Sequence, residues 1–291
     1  MAESVRPVKR DVRRAFDRAA RTYDGAAVLQ REICGRLLEH LDPMRLEPRR
    51  VADLGCGTGH AFEALVKRYP RAHLVGLDLA PAMLARARDR SPWWRRALGA
   101  ASPSLVCADA ERLPLAGHSV QLVFSNLSLQ WCDPPTVFAE ASRVLEPGGL
   151  LLFSTFGPDT LKELRAAFAE ADGAPHVNAF VDMHDLGDAL VAAGLSDPVM
   201  DMEIITVEYD TVGAVARDLK AIGAVNSLAA RSRGLPGRAR WDRMTRAYER
   251  FRREGRLPAT FEVVYGHAWK VPPTKLADGR QVVAFAPKAP R

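Results

Sequence analysis

The 291-residue chain has no run near the roughly 20 apolar residues needed to span a bilayer. No apolar segment follows its basic N-terminus either, so neither a membrane span nor a secretory signal is expected. Asp11 and Asp17 argue against an arginine-rich organellar transit peptide, a class poor in acids. The four cysteines (Cys34, Cys56, Cys107, Cys132) form no C-x-x-C pair and have no adjacent histidine pattern. They read as reduced thiols of a cytoplasmic protein, and no metal site is expected. There are no internal repeats, and low complexity is confined to a loose, proline-containing tail. What remains is 47% hydrophobic and 26% charged, the composition of a soluble enzyme that can bury a substantial core.

Charge is unevenly spread within a net +6. Ten arginines stand against three acids between Arg231 and Arg256, and a second basic run extends from Arg6 to Arg21. Such runs are either solvated helix faces or a docking surface for an acidic partner. Charge alone does not choose.

The first half alternates strand and helix signals as a parallel sheet requires. Strands are expected at Arg50–Leu54, His73–Leu79, Ser104–Cys107, Val120–Ser125 and Leu150–Phe156. Helices start near Phe62 and Pro81, another covers Thr136–Leu145, and Glu146-Pro-Gly-Gly149 reads as a turn. The second half breaks the rhythm. Helices over Asp159–Ala171 and Asp182–Ala193 precede two long strands, Val199–Tyr209 and Phe261–Lys270. Between those strands, helices at Thr211–Ala224 and Arg238–Arg253 form an insertion too long for a loop, expected as a cap over the carboxyl ends of the strands. The expected division is an N-terminal helical lid segment (1–45), a Rossmann-like core (46–210), the helical cap (211–258), then the last strand and tail (259–291).

Ligands of open parallel sheets sit outside the carboxyl ends of the strands. There the first strand runs into Asp53-Leu-Gly55-Cys-Gly57-Thr-Gly59, whose alternating glycines allow a tight turn and close backbone approach. His60 stands where a dinucleotide fingerprint needs its last glycine, and the Lys-Ser/Thr of a P-loop is missing. Asp53, just before the turn, suits a cationic ligand better than a pyrophosphate. Asp78 ends the second strand, where a carboxylate can accept both ribose hydroxyls, with Leu79 beside the adenine face. Asp109, followed by Ala110, ends the third, where it could accept the adenine amino group. Each acid alone could be a helix cap or turn residue. Three at successive strand tips beside the glycine turn favour a cofactor.

Val51-Ala-Asp-Leu-Gly-Cys-Gly-Thr-Gly59, Gly76-Leu-Asp78, Ala108-Asp-Ala-Glu-Arg-Leu-Pro-Leu115 and Leu145-Glu-Pro-Gly-Gly149 resemble the successive motifs of class I S-adenosylmethionine-dependent methyltransferases. The resemblance implies an α/β fold with a seven-stranded sheet whose last strand is antiparallel. It also implies S-adenosylmethionine as cofactor and S-adenosylhomocysteine as product.

The acceptor side has its own strings. Phe16-Asp-Arg-Ala-Ala-Arg-Thr-Tyr-Asp24, Ser125-Asn-Leu-Ser-Leu-Gln-Trp131 and Ser154-Thr-Phe-Gly-Pro-Asp-Thr-Leu-Lys-Glu-Leu-Arg165 are similar to the malonyl-acyl carrier protein O-methyltransferases of biotin synthesis. His176-Val-Asn178, Asp182–Asp188 and Asp197–Met202 extend the similarity. A mitochondrial relative that hydroxylates arginine during complex I assembly shares some of these strings, and a small-molecule or quinone methyltransferase is a further alternative. The resemblance implies methylation of the free malonyl carboxylate, with an acidic acyl carrier protein as partner and neither nucleic acid nor membrane involved. A carboxylate, ionised above about pH 4, needs no general base, so alignment and removal of water carry the chemistry. Tyr23 is the expected lid residue, or else a packing tyrosine. Asn126 and Gln130 would orient the acceptor, and Asn126 also borders the cofactor. Trp131 could wall the pocket or belong to the core, and His176 could touch substrate or lie in a surface loop. An arginine, with Arg165 and Arg217 as candidates, would pair with the malonyl carboxylate that is not methylated or with the phosphopantetheine phosphate.

Overall fold

A computed structural model describes residues 7–90, 102–172, 176–224 and 237–271. Arg231 and Arg233 of the basic stretch, and the expected tail, lie outside the described residues.

The short apolar runs become the strands of one mixed sheet: β1 (Arg50–Leu54), β2 (His73–Asp78), β3 (Ser104–Cys107), β4 (Val120–Asn126), β5 (Leu145–Phe156), β6 (Leu195–Tyr209) and β7 (Leu257–Lys270). Their order is β3-β2-β1-β4-β5-β7-β6, and only β7 runs antiparallel to its neighbours. This is the Rossmann-like seven-stranded arrangement expected from the sequence. The chain reverses its direction of winding between β1 and β4, so the crevice at the carboxyl end of β1 is the natural ligand position.

Alternation along the buried strands sends side chains into two apolar layers. Val51, Leu122, Phe124, Leu150 and Leu152 face one layer, with α3 (Val28–Glu39) and α4 (Phe62–Arg68) packed on it. Ala52, Leu54, Val75, Leu77, Val123, Leu151 and Phe153 face the other, covered by α6 (Pro134–Val144) and α8 (Met183–Ala192). Phe124, Phe138 and Phe153 are completely buried, each contributing roughly 1.5–3 kcal/mol of apolar burial. The helix α5 (Pro81–Arg90) begins with proline at a position where its missing N–H costs nothing.

Before β1, the chain forms α1 (Lys9–Ala19), a four-residue helix α2 (Tyr23–Ala26) and α3. The helix α1 buries Val12, Ala15 and Ala19, and it rests against α5. Helix α7 (Lys162–Ala171) follows β5. Its expected first turn is instead occupied by Leu161 in the left-handed region (φ 56°), with Leu161 N–H donating to Thr260 O.

The two helices between β6 and β7 do not act alike. The first, α9 (Val212–Ala221), is capped by the Thr211 hydroxyl and packs on α2. Leu219 and Ile222 bring its end to the crevice above the sheet. The second, α10 (Arg238–Glu249), packs along α7, burying Met244, Ala247 and Tyr248. It therefore stabilises the flank and does not cover the strand ends, because its apolar stripe finds its partner on α7.

Candidate active site

The crevice at the carboxyl ends of β1, β2 and β4 is a cavity with two chemically distinct ends. One end is built on the glycine turn. Gly55 and Cys56 donate their N–H groups to Leu77 O at 2.8 and 3.0 Å, which locks the turn onto β2. Gly55 has φ 68°, and a Cβ there would lie 2.3 Å from Ser128 Cβ. Gly57, with φ 54°, has open space where a Cβ would be, so its backbone faces the cavity. Gly59 packs beneath the Phe62 ring and supports the turn from behind rather than lining the cavity.

Asp78 closes β2 with both oxygens engaged: Gly57 N–H donates to one at 2.9 Å and Ala80 N–H to the other at 2.7 Å. Burial still pushes its carboxyl up to about 6, against the pull of those two N–H groups and with Asp17 adding to the rise. Leu79, Ala108, Asp109 and Ala110 continue the wall past β3. Asp53, only 2% exposed, faces a smaller adjoining recess with Gly57, Thr58, Gln30, Arg31 and Asn126. Burial, and secondarily the charge of Asp78, push its carboxyl up to about 8.

The other end is apolar. Phe156, Leu161, Leu164, Val177, Phe180, Leu219, Ile222 and Phe261 line it, drawn from five separate stretches of chain. Asn178 is buried there, and its Oδ1 has no hydrogen-bond partner among the described residues. Tyr23 lines both the cavity and the smaller recess that holds Asp53. Burial first, then the charges of Asp78 and Asp24, hold its hydroxyl well above the usual tyrosine range, so it is neutral and a donor.

The helix α1 supplies the remaining wall through Lys9, Val12 and Phe16. Phe16 meets Trp131 edge-to-face at 5.4 Å. The Lys9 ammonium bridges Asp109 and Glu111 at 2.8 Å each and approaches Cys132 Sγ at 3.3 Å. Burial works against this charge, but Cys132 and the two carboxylates outweigh it and raise its pKa. Asp109, Glu111 and Cys132 place three potential metal-donor atoms within 4.8 Å of one another, and the Lys9 ammonium sits against all three. The α2 segment is fastened in turn: Thr58 Oγ1 donates to Asp24 Oδ1 at 2.6 Å, and Arg90 pairs with the same oxygen at 2.8 Å.

The structure thus brings Tyr23, Asp53, Gly55, Gly57, Asp78, Leu79, Asp109, Ala110, Asn126, Gln130, Trp131 and His176 around the cavity and its recess. Asn126 is held on both sides, donating to Gln30 O at 3.1 Å and accepting from the Ser154 hydroxyl at 2.8 Å. Gln130 donates to Leu127 O at 2.7 Å, which leaves its carboxamide as a wall more than a free hand. His176 stacks on Phe168 at 3.9 Å and bonds to Asp172 at 2.9 Å.

Arg165 and Arg217 do not reach the cavity. Arg165 turns back to the carbonyls of Pro158 and Thr160, and Arg217 is exposed on the outer face of α9. No arginine is among the described residues lining the larger cavity. A malonyl thioester has one free carboxylate, so it leaves no second one for a guanidinium to hold. Lys9, Phe180 and Phe261 were missed in the sequence because no local pattern distinguishes them, and Phe16 and Asn178 stood there only as members of longer strings.

Comparison with known proteins agrees with this geometry. A methyltransferase-domain family model matches residues 52–153, the stretch holding the glycine turn and the three strand-tip acids. Among solved structures, the YcgJ protein of Bacillus subtilis superposes with a TM-score of 0.58 at 14% identity, covering 83% of this chain and 99% of its own. A geranyl diphosphate methyltransferase solved with S-adenosylmethionine superposes with a TM-score of 0.50 at 18% identity, covering 83% of this chain and 85% of that one. Both support the fold alone. The sequence relatives are much nearer. The malonyl-[acyl-carrier protein] O-methyltransferase of Laribacter hongkongensis is 57% identical across the full length of both chains. That of Legionella pneumophila is 40% identical over 94% of each. The matched stretch takes in the N-terminal helices and the region between β6 and β7 as well as the core, so the chain belongs to the malonyl-acyl carrier protein O-methyltransferase family.

Proposed function

We propose that this protein transfers a methyl group from S-adenosylmethionine to the free carboxylate of a malonyl thioester on acyl carrier protein, a step of biotin synthesis. The methyl ester and S-adenosylhomocysteine are the products. The observation that carries this reading is the full-length match to relatives so named, because it includes the acceptor-side segments outside the common methyltransferase domain.

The donor set at the polar end fits the cofactor. Asp53 offers a carboxylate to an ammonium, Asp78 to vicinal hydroxyls, and Asp109 to an exocyclic amine, while Gly57 keeps the backbone accessible between them. S-adenosylmethionine supplies an electrophilic methyl group on a sulfonium. The protein's part is alignment and exclusion of water. Transfer from a cation to an anion cancels both charges, so a dry, apolar chamber favours reaction over the solvated ground state. Phe156, Leu161, Phe180 and Phe261 provide that chamber, and Phe16 with Trp131 closes it toward α1. No general base is required, because a carboxylate is ionised above about pH 4. Tyr23, neutral and facing both recesses, can donate a hydrogen bond to the acceptor carboxylate and hold one oxygen while the other attacks. Holding two reactants in line contributes roughly 7–11 kcal/mol.

No helix among the described residues is long and apolar enough to cross a membrane. A cytoplasmic location belongs to this reading, and the four free cysteines support it.

Labelled S-adenosylmethionine offered with malonyl-acyl carrier protein, acetyl-acyl carrier protein and free malonate tests the assignment. Base-labile label on the malonyl-carrier protein alone is the expected result. Measurable cofactor binding with no label on any of the three would overturn it in favour of an assembly or hydroxylating role.

A further inference from the structure

The basic stretch between Arg231 and Arg256 is the obvious place for an acidic carrier protein to dock, yet five of its described arginines are engaged by neighbouring groups of the protein. Arg240 pairs with Asp172 at 2.8 Å, Arg243 donates to Ala171 O, and Arg250 pairs with Glu170. These contacts clamp α10 to α7. Arg252 pairs with Glu249 at 2.7 Å and also donates to Asp210 O, while Arg256 pairs with Asp210. They tie the end of α10 to the turn after β6. Charges paired with carboxylates in this way contribute little to a long-range field. Arg238, Arg246 and Arg253 are exposed without such partners among the described residues, but no described residue of α10 lines the cavity.

The other basic run is different. On α1, Lys9, Val12 and Phe16 face the cavity, and the opposite side presents Arg10, Arg14 and Arg18 at i, i+4 and i+8, a single stripe by helical geometry. Arg21 follows just past the helix end. Arg10 makes only a 3.7 Å contact with its neighbour Asp11. Arg14, Arg18 and Arg21 are exposed and have no ion pair or hydrogen bond with any described residue. Thr22 Oγ1 donates to Ala221 O at 2.9 Å, which joins the chain just after Arg21 to the end of α9, where Lys220 is exposed.

We infer that the solvent face of α1, centred on Arg14, Arg18 and Arg21, is the docking surface for the acyl carrier protein. The inference rests on the function proposed above. Charge complementarity argues for it: unpaired guanidinium groups in one stripe match an acidic helical partner and steer its approach. Position argues for it as well. The helix that carries the stripe is itself a wall of the cavity, so a partner seated on it lies one helix's width from the chamber that its acyl arm must reach. The same contact presses Phe16 against Trp131 and holds the chamber closed.

The test uses the full chain with R14E/R18E/R21E, and R45E/R71E as a charge-reversal control at the opposite, amino-terminal ends of the strands. Methylation of malonyl-acyl carrier protein is compared with that of malonyl-N-acetylcysteamine, and cofactor Kd is measured alongside as a check on folding. The α1 variant is expected to lose about tenfold or more in kcat/KM toward the carrier substrate at low salt, chiefly through KM. Its rate on the small thioester and its cofactor Kd stay within about twofold, its salt dependence flattens, and the control behaves as wild type. An equal loss on both substrates, or no loss on the carrier substrate, overturns the docking surface while leaving the proposed reaction intact. Loss of duplex DNA binding with carrier methylation unchanged would assign the stripe to nucleic acid and also overturn it. A wild-type enzyme that methylates neither substrate sinks the functional reading and the docking surface together.

Discussion

Asp53 gives the cofactor site a pH dependence that can be measured without following the reaction. Its carboxyl is buried against Asp78, no described lysine or arginine pairs with it, and it is pushed up to about 8. In the free protein at pH 6 about one molecule in a hundred therefore carries it ionised, and at pH 7 about one in ten. A ligand that brings an ammonium and a sulfonium into this recess stabilises the ionised form, so binding must expel a proton. Affinity for S-adenosylmethionine should then rise about tenfold from pH 6 to 7, or about 1.4 kcal/mol. Asp78, pushed up to about 6, steepens the lower end of that window. Above about pH 7.7 the ligand's own amino group begins to lose its charge and opposes the trend, so the rise levels off. Calorimetric titration in two buffers of different ionisation enthalpy reads both the Kd and the protons released. With Asp53→Asn the slope above pH 6 should vanish, and the affinity deficit against wild type should be large at pH 7 and small at pH 5.5. A wild-type Kd that is flat from pH 6 to 7, with no net proton release, would refute the reasoning.

Substitutions at three further positions probe the glycine turn and the seating of α1. Lys9→Met removes two charge-assisted contacts to Asp109 and Glu111, worth roughly 1.5–3 kcal/mol. Amide exchange in α1 should accelerate, cofactor Kd should rise severalfold, and Lys9→Arg should recover part of both. Gly55→Ala places a methyl group 2.3 Å from Ser128 Cβ at a residue with φ 68°, so thermal stability should fall by roughly 1–3 kcal/mol and cofactor binding should be lost. Gly57→Ala meets no atom within 4 Å of its Cβ, so it should fold with less strain yet still weaken cofactor binding.

The strands that could be read from the sequence to the residue, β1 and β3, are those whose apolar runs are bounded by turn residues on both sides. Elsewhere pairing carried strands past their local signals. Leu145 still pairs with Val120, and the Pro-Gly-Gly segment bulges before Leu150 pairs with Leu122, so β5 starts five residues earlier than its apolar run. Pro198 would ordinarily begin a strand, but Leu195 and Ser196 already pair with Lys270 and Trp269, with Asp197 at φ 50° taking up the register shift. Pro258 is tolerated in β7 because at that point only β6 lies beside it; pairing with β5 begins at Val263. The polar end of the cavity was legible for a related reason. Its groups come from consecutive strand tips, each a few residues from a glycine or proline marker. Lys9 lies 100 residues from Asp109, and Phe261 lies 105 from Phe156. Such contacts exist only once the sheet has formed, and no spacing rule reveals them.

Lys9 also explains why α1 can be both a cavity wall and a partner surface. A lid held only by apolar contacts would close equally well over an empty site. Here the latch is the carboxylate that we propose meets the adenine end of the cofactor: Asp109 Oδ1 accepts from both Lys9 and the Glu111 N–H, which leaves Oδ2 for an incoming amine. An amine bound at Oδ2 fixes the carboxylate in the orientation that Lys9 requires, so cofactor binding and seating of α1 favour each other. The coupling is reciprocal, and a partner on the outer face of α1 should therefore tighten cofactor binding. An inactive carrier protein bearing a malonyl group on a non-transferable linkage should lower the Kd for S-adenosylhomocysteine several-fold in wild type. The same ligand should leave Kd unchanged in Lys9→Met, where the helix and the carboxylate no longer communicate. An equal effect in both proteins would show that α1 seats independently of Asp109 and would remove the latch from the account.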